Sequence, residues 1–563
     1  MKTKIGLIKV SSSDNRLIPS GLASLQAYLK MNAIPVKVYN FRAEGYNLPE
    51  IIKEPLIQLS PPNLIMNHQD FPLLLPLIDT AFSDSVISVN DPLFGDLFRD
   101  HAQRLYESPE TTKKRYNSII KYVAETVLPK IQGKYDIVGF SLDYLNIIET
   151  TIASLFLKIE DPGVKIIWGG ASITQSLEAF KLLLLRGVCD GLAVGEGEGT
   201  LLDIATGIPF TSIKGLMTLN DDEEIVYKKR QPLDLDNLPT PDYTDIPLDS
   251  YFQIASVYRS RGCTNRCQFC AEWNLFGPKF RVRSVENVVK DIETILEKHN
   301  PRYIAFGESL VNDDLDYFEE LCDTLIEKNF PIHFGAHFRA NIPYKLAEKA
   351  YKAGFDDAWV GFEAFSDEEL KEMNKGTNVN QNMTTIKNFT QAGVNVLAML
   401  VVGFSTIKEE RQNCSNIIET INYFSSQTVT NTQGKKVPLS IQWRPAPMFL
   451  VPGSIDYHQK KSTQTSSWKC LCTSLLNEDR IKILQEELTQ IPYEFERPIP
   501  NRKVGELMKA IQEADRGAGF RIGGIAQHVI TFMMENRRNK RKNRINSRIG
   551  ITAQRYTEKK LVQ

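Results

Sequence analysis

Three cysteines lie close together near the middle of the chain. Cys263, Cys267 and Cys270 follow the spacing C-x3-C-x2-C, and the next candidates, His299 and Cys322, are far away. A four-iron cluster normally takes four thiolates, whereas structural zinc needs four closed ligands, usually with a second Cys or His pair. The spacing therefore predicts an iron–sulfur cluster with one iron open to a small molecule. Zinc or an inert thiol cluster is the alternative.

The composition is that of a large enzyme of a reducing compartment. The 563 residues are 42% hydrophobic and carry a net charge of −1, which argues against general binding to nucleic acid or membrane surfaces. No apolar run reaches the roughly 18 residues of a membrane span, and the amino terminus lacks a cleavable signal pattern. We expect a cytoplasmic protein with reduced cysteines. Cys189, Cys322 and Cys414 lie in apolar or amphipathic segments and are interpreted as packing residues.

The first 200 residues alternate short apolar segments with helical segments. This alternation predicts an α/β domain at residues 1–206, a doubly wound parallel sheet of Rossmann type with right-handed crossovers. Residues 42–129 interrupt the pattern and are interpreted as an insertion. The predicted strands are Lys4–Val10, Val36–Tyr39, Ile137–Phe140, Lys165–Trp168 and Gly191–Val194.

Small and polar residues follow the predicted strands of this first domain. Ligands of such sheets bind beyond the carboxyl ends of the strands, and glycine there lets a large flat ligand approach the backbone. We therefore predict a cofactor site in these loops, with a sheet that binds no ligand as the alternative. The residues are Ser141, Gly169, Gly170, Gly195, Glu196 and Gly197.

A second alternation begins at Ile254. Six strand–helix units are too few for a closed eight-fold barrel, so a partial (β/α)6 TIM-like barrel at residues 251–455 is the consistent choice. Residues 207–250 are interpreted as a linker with a hairpin, and residues 456–563 as a mostly helical extension with a basic tail. The predicted strands are Ile254–Arg259, Tyr303–Phe306, Ile332–Ala336, Ala358–Phe362, Val394–Val401 and Ser440–Trp443.

The cysteine spacing, with Phe269 directly before the last cysteine, resembles the radical S-adenosylmethionine superfamily. The resemblance implies a [4Fe-4S] cluster whose fourth ligand is the methionine part of S-adenosylmethionine, and a one-electron cleavage that yields a 5′-deoxyadenosyl radical. The order of the amino-terminal elements resembles the cobalamin-binding domain that precedes many of these enzymes. The chain has no histidine before His68, so the resemblance implies cobalamin without a lower histidine ligand.

The same resemblance implies roles for residues at the ends of the barrel strands. Gly307 and Glu308 resemble the turn that holds the amino group of the methionine part. Glu363 resembles an element near the ribose or the amino group, and Arg339 suits the carboxylate because a guanidinium matches planar anions. Gly403 stands where relatives read Gly-x-Pro-Gly-Glu, but this chain lacks the proline and the second glycine.

Several further features carry weaker signals. Lys375 and the following glycine match another segment of the family. His333 and His337 lie four apart on one predicted strand and should share a face. Cys470 and Cys472 are interpreted as structural, and the basic stretch at residues 537–544 as a solvated tail.

We therefore predict a cobalamin-dependent C-methyltransferase that acts on an unactivated carbon of a peptide or natural product. The resemblance implies that the radical removes hydrogen from that carbon, which then receives a methyl group from methylcobalamin. The expected partners are the small-molecule or peptide substrate and an electron donor such as flavodoxin or ferredoxin, without membrane or nucleic acid. The alternatives are a cobalamin-independent radical enzyme that cyclises, cleaves or epimerises, and a non-catalytic iron–sulfur redox or scaffold protein.

Overall fold

Two predominantly parallel sheets form the framework of the chain. The computed structural model describes residues 3–10, 18–41, 119, 121–143, 146–175, 177–185, 187–251, 253–276, 280–402, 404, 407–430, 436–447 and 453–456. The predicted insertion lies mostly, and the carboxyl-terminal extension almost entirely, outside these residues. Within them, none of the helices is both long and apolar enough to cross a lipid bilayer.

The first sheet has seven strands in the order β2-β1-β3-β4-β5-β6-β7. All five predicted strands are present and pair in parallel, and the predicted hairpin adds β6 and β7 as antiparallel strands at the β5 edge. The hairpin was assigned to a linker, so its addition to the sheet is a finding of the structure. The strands are β1 Ile5–Lys9, β2 Val36–Asn40, β3 Ile137–Ser141, β4 Lys165–Gly169, β5 Gly191–Ala193, β6 Leu216–Leu219 and β7 Ile225–Tyr227.

Helices cover both faces of this sheet, as a doubly wound fold requires. On one face, Ser20–Met31 and Glu198–Ala205 contribute to an apolar core that continues into the second half of the chain. On the other face, Ile147–Glu160 and Leu177–Leu185 contribute to a separate apolar core. Shorter helical segments lie at Val123–Val127, Leu128–Ile131 and Ala171–Gln175.

The second sheet contains the six predicted strands, all parallel, in the order β17-β14-β13-β12-β11-β8. No pairing between the end strands β8 and β17 occurs among the described residues, consistent with a partial barrel. The six strands are β8 Ile254–Val257, β11 Tyr303–Phe306, β12 His333–Phe338, β13 Phe355–Glu363, β14 Asn395–Val402 and β17 Ile441–Pro447.

Side chains alternate between the helix side and the inner side of these strands, as the period of two requires. Phe334, Ala336 and Phe338 join the core that the helices cover. On the inner side, Tyr303 and Trp359 belong to a small apolar cluster of their own. The helices of this half are Val285–His299, Leu315–Lys328, Tyr344–Lys352, Asp367–Glu372, Val379–Ala392 and Ile407–Ser425.

Two short antiparallel ribbons complete the second half. β9 Ser260–Arg261 pairs with β10 Arg281–Val282, and β15 Thr428–Thr430 pairs with β16 Lys436–Pro438. The first ribbon brings together the two ends of the segment that carries the three clustered cysteines. This segment, residues 262–280, is called the cysteine loop below, and it includes the short helix Glu272–Leu275.

We expect Gly335→Ala to destabilise the protein by about 1–3 kcal/mol, because the barrel interior has no room for a larger side chain. A methyl group there would lie 2.8 Å from the Trp359 ring and would collide with the Tyr303 hydroxyl, which donates to Asp357 at 2.8 Å. Gly163→Ala is the matched control, because nothing lies within 4 Å of its added methyl group. Denaturant unfolding measures both variants, and equal effects would contradict the packing described here.

Candidate functional site

The cysteine loop presents three free thiols at the carboxyl-terminal side of strand β8. Cys263, Cys267 and Cys270 form no disulfide. Asn265 Nδ2 donates to Cys263 Sγ at 3.8 Å, and the Glu272 backbone N–H donates to Cys270 Sγ at 3.5 Å. N–H donors around the sulfurs are a feature of iron–sulfur sites, where they tune the cluster.

Burial disfavours the deprotonated, thiolate form of these cysteines. It raises the pKa of Cys270 to about 12. It also raises the pKa of Cys267, although the nearby Lys375 ammonium opposes the increase. A bound cation would favour the thiolate forms here. Within the described residues, no three His, Cys, Asp or Glu side chains are arranged to share one metal ion; a four-iron cluster does not need this, because each of its cysteines binds a different iron.

Hydrogen bonds to backbone carbonyls fix the cysteine loop to a turn after the fourth barrel strand. The Gln268 backbone N–H donates to the Met373 carbonyl at 2.9 Å, and Asn374 Nδ2 donates to the Arg266 carbonyl at 2.8 Å. Phe269 packs near Phe404, with ring centroids 6.5 Å apart. The loop therefore has a defined position over the barrel.

Glu308, predicted to hold a ligand amino group, is buried beside an arginine that sequence reasoning missed. Both side chains are almost completely shielded, with Arg259 at 0% and Glu308 at 1% exposure, and Arg259 Nε lies 3.3 Å from Glu308 Oε1. Arg259 also pairs with Asp313 and donates to the Leu310 carbonyl at 2.9 Å. Burial raises the pKa of Glu308 and the arginine charge opposes this. Gly307 leaves room for the Tyr258 ring, since an added Cβ would lie 2.6 Å from it.

A second buried ion pair lies next to the cysteines. Lys375 Nζ is 2.8 Å from Glu363 Oε1. Burial alone would lower the pKa of Lys375, but the charges of Glu363 and Cys267 raise it overall. Arg339 donates to the Lys375 carbonyl oxygen. The structure thus brings Arg339 and Glu363 together at the barrel mouth, on the side of Cys267.

Glu363 also has an unusual backbone, with φ of +64° at a register shift of strand β13. A left-handed conformation is costly for a residue with a side chain and marks positions that the surrounding structure holds in place. Gly361, two residues earlier, has no room for a side chain because an added Cβ would lie 3.0 Å from Lys375 Nζ. The backbone here directs the carboxylate toward Lys375.

All the predicted cofactor residues of the first sheet line one cavity of about 210 Å³. Gly170 has φ of +106°, and Gly195 has φ of +82° with open space where a side chain would stand. The floor of the cavity includes Leu7 and Ile167. The remaining predicted residues in the lining are Ser141, Gly169, Glu196 and Gly197.

The cavity reaches the cysteine loop. Its lining also includes Tyr258, Arg261, Leu275 and Phe276, which come from the barrel half of the chain. Glu196 faces this boundary, and both of its carboxylate oxygens already accept hydrogen bonds from arginines. The two sites that the sequence predicts separately therefore adjoin each other.

The remaining candidates divide between the barrel interior and the part of the chain outside the described residues. His333 and His337 share a strand face as predicted, but His333 is exposed beside Asp356, whereas burial lowers the pKa of His337 to about 4. Cys189 and Cys322 are buried as predicted. Outside the described residues lie Gly403, Cys470, Cys472, the basic stretch and the side chain of Cys414.

Sequence reasoning missed Arg259, Arg261 and Arg281. Arg259 and Arg261 form an Arg-x-Arg pair just before the cysteine loop. Arg281 and Arg283 form a second such pair just after it. Extended backbone places every second residue on one face. The Arg-x-Arg spacing was therefore the signal in the sequence that these arginines share a face.

Comparison with known proteins gives a family match within the second half of the chain. Residues 257–414 match the family model described as the radical SAM superfamily. The chain is similar to the anaerobic magnesium-protoporphyrin IX monomethyl ester cyclase of Rubrivivax gelatinosus, with 26% identity over 232 residues, which are 38% of this chain and 41% of the cyclase. It is also similar to the bacteriochlorophyllide d C-12(1)-methyltransferase of Chlorobaculum tepidum, with 25% identity, covering 39% of this chain and 48% of that enzyme. The matches thus span less than half of either relative.

The fold is similar to that of a solved structure, the cobalamin-dependent S-adenosylmethionine radical enzyme OxsB with aqua-cobalamin and S-adenosylmethionine bound. The TM-score is 0.59, the identity is 14%, and the match covers 92% of this chain and 71% of OxsB. At this identity the similarity concerns the fold. It extends over both sheets, because 92% coverage requires residues from each half.

We expect Cys270→Ser to lose most of the iron that the wild-type chain retains after anaerobic reconstitution, because a thiolate ligand is replaced by a weaker hydroxyl. Cys322→Ser is the matched control, since its thiol is buried in the helix Leu315–Lys328 away from the other cysteines. Iron and sulfide analysis after desalting measures the difference. Equal iron content in the two variants would argue against a cluster on this loop.

We expect Arg259→Met to destabilise the fold by about 3–5 kcal/mol, because it leaves two buried carboxylates without their cation. The exposed Arg302 provides the control, and Arg302→Met should change the free energy of unfolding by less than about 0.5 kcal/mol. Adding Glu308→Gln and Asp313→Asn to Arg259→Met should recover part of the loss. Denaturant midpoints report the result, and no recovery would show that the effect comes from lost packing alone.

Proposed function

Because the chain carries a radical SAM domain at residues 257–414, we propose that it is a radical S-adenosylmethionine enzyme that uses cobalamin to methylate carbon. The observation that carries the proposal is the cavity between the two halves of the chain. Glycines of the first sheet line one side, and Tyr258, Arg261 and Phe276 line the other. A ligand in this cavity would lie beside the cysteine loop.

The residues present fit the cofactors that the proposal requires. Three free thiols with N–H donors suit a [4Fe-4S] cluster. The exposed backbone around Gly195 and the apolar floor suit a large ligand with a flat apolar portion. When bound, the cluster with S-adenosylmethionine would supply a radical that abstracts a hydrogen atom from an unreactive carbon, and cobalamin would supply the methyl group.

The protein's own part is to position the cofactors and to exclude water from them. Cys263, Cys267 and Cys270 would hold the cluster. Arg339 and the Glu363 carboxylate lie on the Cys267 side of the barrel mouth, where the charged methionine part of S-adenosylmethionine would bind. The carboxylate would accept from the amino group, and the guanidinium would pair with the carboxyl group.

The relatives support the reaction class without fixing the substrate. One is named as a methyltransferase and the other as a cyclase, and both names refer to tetrapyrroles. The cyclase favours a second candidate, a ring-forming reaction at the same site. A peptide or natural-product substrate and an electron donor such as flavodoxin or ferredoxin remain part of the proposal.

The first experiment measures bound cobalamin after anaerobic reconstitution with hydroxocobalamin and desalting. We expect about one equivalent per chain. Ser141→Phe places a large ring in the cavity and should abolish retention, whereas Ser212→Phe, at an exposed position, should not. No cobalamin on the wild-type protein, or equal retention by both variants, would overturn the proposed use of this cavity.

Product analysis then separates the two candidate reactions. With reductant and S-adenosylmethionine, a methyltransferase yields 5′-deoxyadenosine, S-adenosylhomocysteine and a methylated product. Formation of 5′-deoxyadenosine from S-adenosylmethionine in the presence of a candidate substrate, without S-adenosylhomocysteine, would favour the ring-forming alternative. Isotope-labelled methyl groups and mass spectrometry provide the measurement.

A further inference from the structure

Two arginines stand opposite each other at the base of the cysteine loop. In the β9–β10 ribbon, Arg261 is the direct cross-strand partner of Arg281. Like charges placed directly opposite each other on paired strands are destabilising. Negative charge from another part of the molecule would offset this repulsion.

Glu196 and Glu198 provide this charge from the first sheet. Arg261 Nη1 lies 3.0 Å from Glu196 Oε2, and its Nη2 lies 2.6 Å from Glu198 Oε1. Arg281 pairs with Glu196 as well, and it donates to the Leu233 carbonyl at 2.8 Å. The side chains of this quartet are between 5% and 16% exposed. Two positive and two negative charges leave the group neutral.

The quartet connects two functional regions directly. Glu196 and Glu198 lie in and next to the glycine-rich turn that lines the cavity, while Arg261 lies two residues before Cys263. Burial alone would raise the pKa of Glu198, but Arg261 outweighs it and lowers the pKa below its ordinary value. The carboxylate therefore stays charged at neutral pH.

We propose that Glu196, Glu198, Arg261 and Arg281 form a positioning clasp, which holds the base of the cysteine loop against the amino-terminal cavity. The clasp fixes where a cluster on the loop stands relative to a ligand in the cavity. The inference rests on the proposed function, in that the loop is taken to hold the cluster and the cavity to hold cobalamin. None of the four residues is assigned a reaction step.

The chemistry of the clasp suits positioning better than stabilisation. Burying charges carries a large desolvation cost, and a well-packed apolar contact often gives equal or greater stability. Guanidinium–carboxylate pairs add direction and distance, because the planar groups join through defined donor and acceptor atoms. Arg261 can contact both carboxylates only when the turn and the ribbon are in one relative position.

The test compares the double variant Glu196→Gln/Glu198→Gln with the wild-type chain, both reconstituted with iron. The control is Glu160→Gln, at an exposed position at the end of its helix. The first measurement is the rate at which an iron chelator removes the cluster without cobalamin. We expect this rate to rise about fivefold or more in the double variant and to stay unchanged in the control.

The second measurement asks whether the cavity and the loop are coupled. In the wild-type chain, bound hydroxocobalamin should slow the loss of iron, and the cluster should in turn tighten the equilibrium binding of cobalamin. In the double variant, at hydroxocobalamin concentrations that saturate both proteins, we expect this mutual effect to disappear. If the two glutamates had a merely structural role, their substitution would weaken the fold without removing the coupling. The melting temperature of the apo-protein is therefore recorded for each variant.

Two further variants keep the test decisive. Arg281→Gln removes one member from the barrel side and replaces the double variant if that protein is not recovered folded, with the same expected result. Arg281→Lys retains the charge and should restore part of the coupling. Iron-loss rates equal to wild type, or faster loss with the cobalamin effect intact, would overturn the proposal.

Failure of the proposed function would give a different pattern. If the wild-type chain binds iron but no cobalamin, the assignment of the cavity is wrong. The comparison of iron loss between the variants still decides whether the clasp holds the loop. If the wild-type chain binds no iron, both the proposed function and the clasp as stated here are wrong.

Discussion

Neutralisation of buried charge is the constraint on which the junction between the two sheets depends. Arg261 and Arg281 face each other across a ribbon of two residues per strand, and the carboxylates of Glu196 and Glu198 offset their repulsion. The cysteine loop begins and ends at that ribbon. The position of the loop is therefore set by the first sheet as well as by the barrel.

The same physical solution recurs inside the barrel. Arg259 stands two residues before Arg261 and is neutralised by Glu308 and Asp313, and Lys375 is neutralised by Glu363. Because the strands are parallel, their carboxyl ends meet at one edge of the sheet, and polar side chains from distant parts of the chain converge there. Arg259 faces two carboxylates and Lys375 faces one, so each of these buried cations has an opposite charge before any ligand binds.

The sequence predicted the framework better than the contacts within it. All eleven expected strands of the two sheets are present, because short apolar runs alternating with helices leave few alternative topologies. The residues proposed for the first site line one cavity, since the strand ends that carry them share one edge of the sheet. The ion pairs could not be predicted, because nothing in a single sequence indicates that Glu196 and Arg281, 85 residues apart, will meet. The alternating arginines on either side of the cysteines indicate that the arginines share a face. They do not indicate which residues this face contacts.

Carboxylates that already bind a cation can still recognise a ligand, and the number of acceptor sites decides which of them do. A carboxylate offers about four lone-pair positions. Among the described residues, Glu308 accepts from the backbone N–H and the Nε–H of Arg259, and Glu363 accepts from Lys375. Glu196 receives three arginine N–H groups, divided over both oxygens. Under the proposed function, the carboxylates of Glu308 and Glu363 would keep acceptor sites for an amino group, whereas that of Glu196 is occupied by the arginines of the clasp.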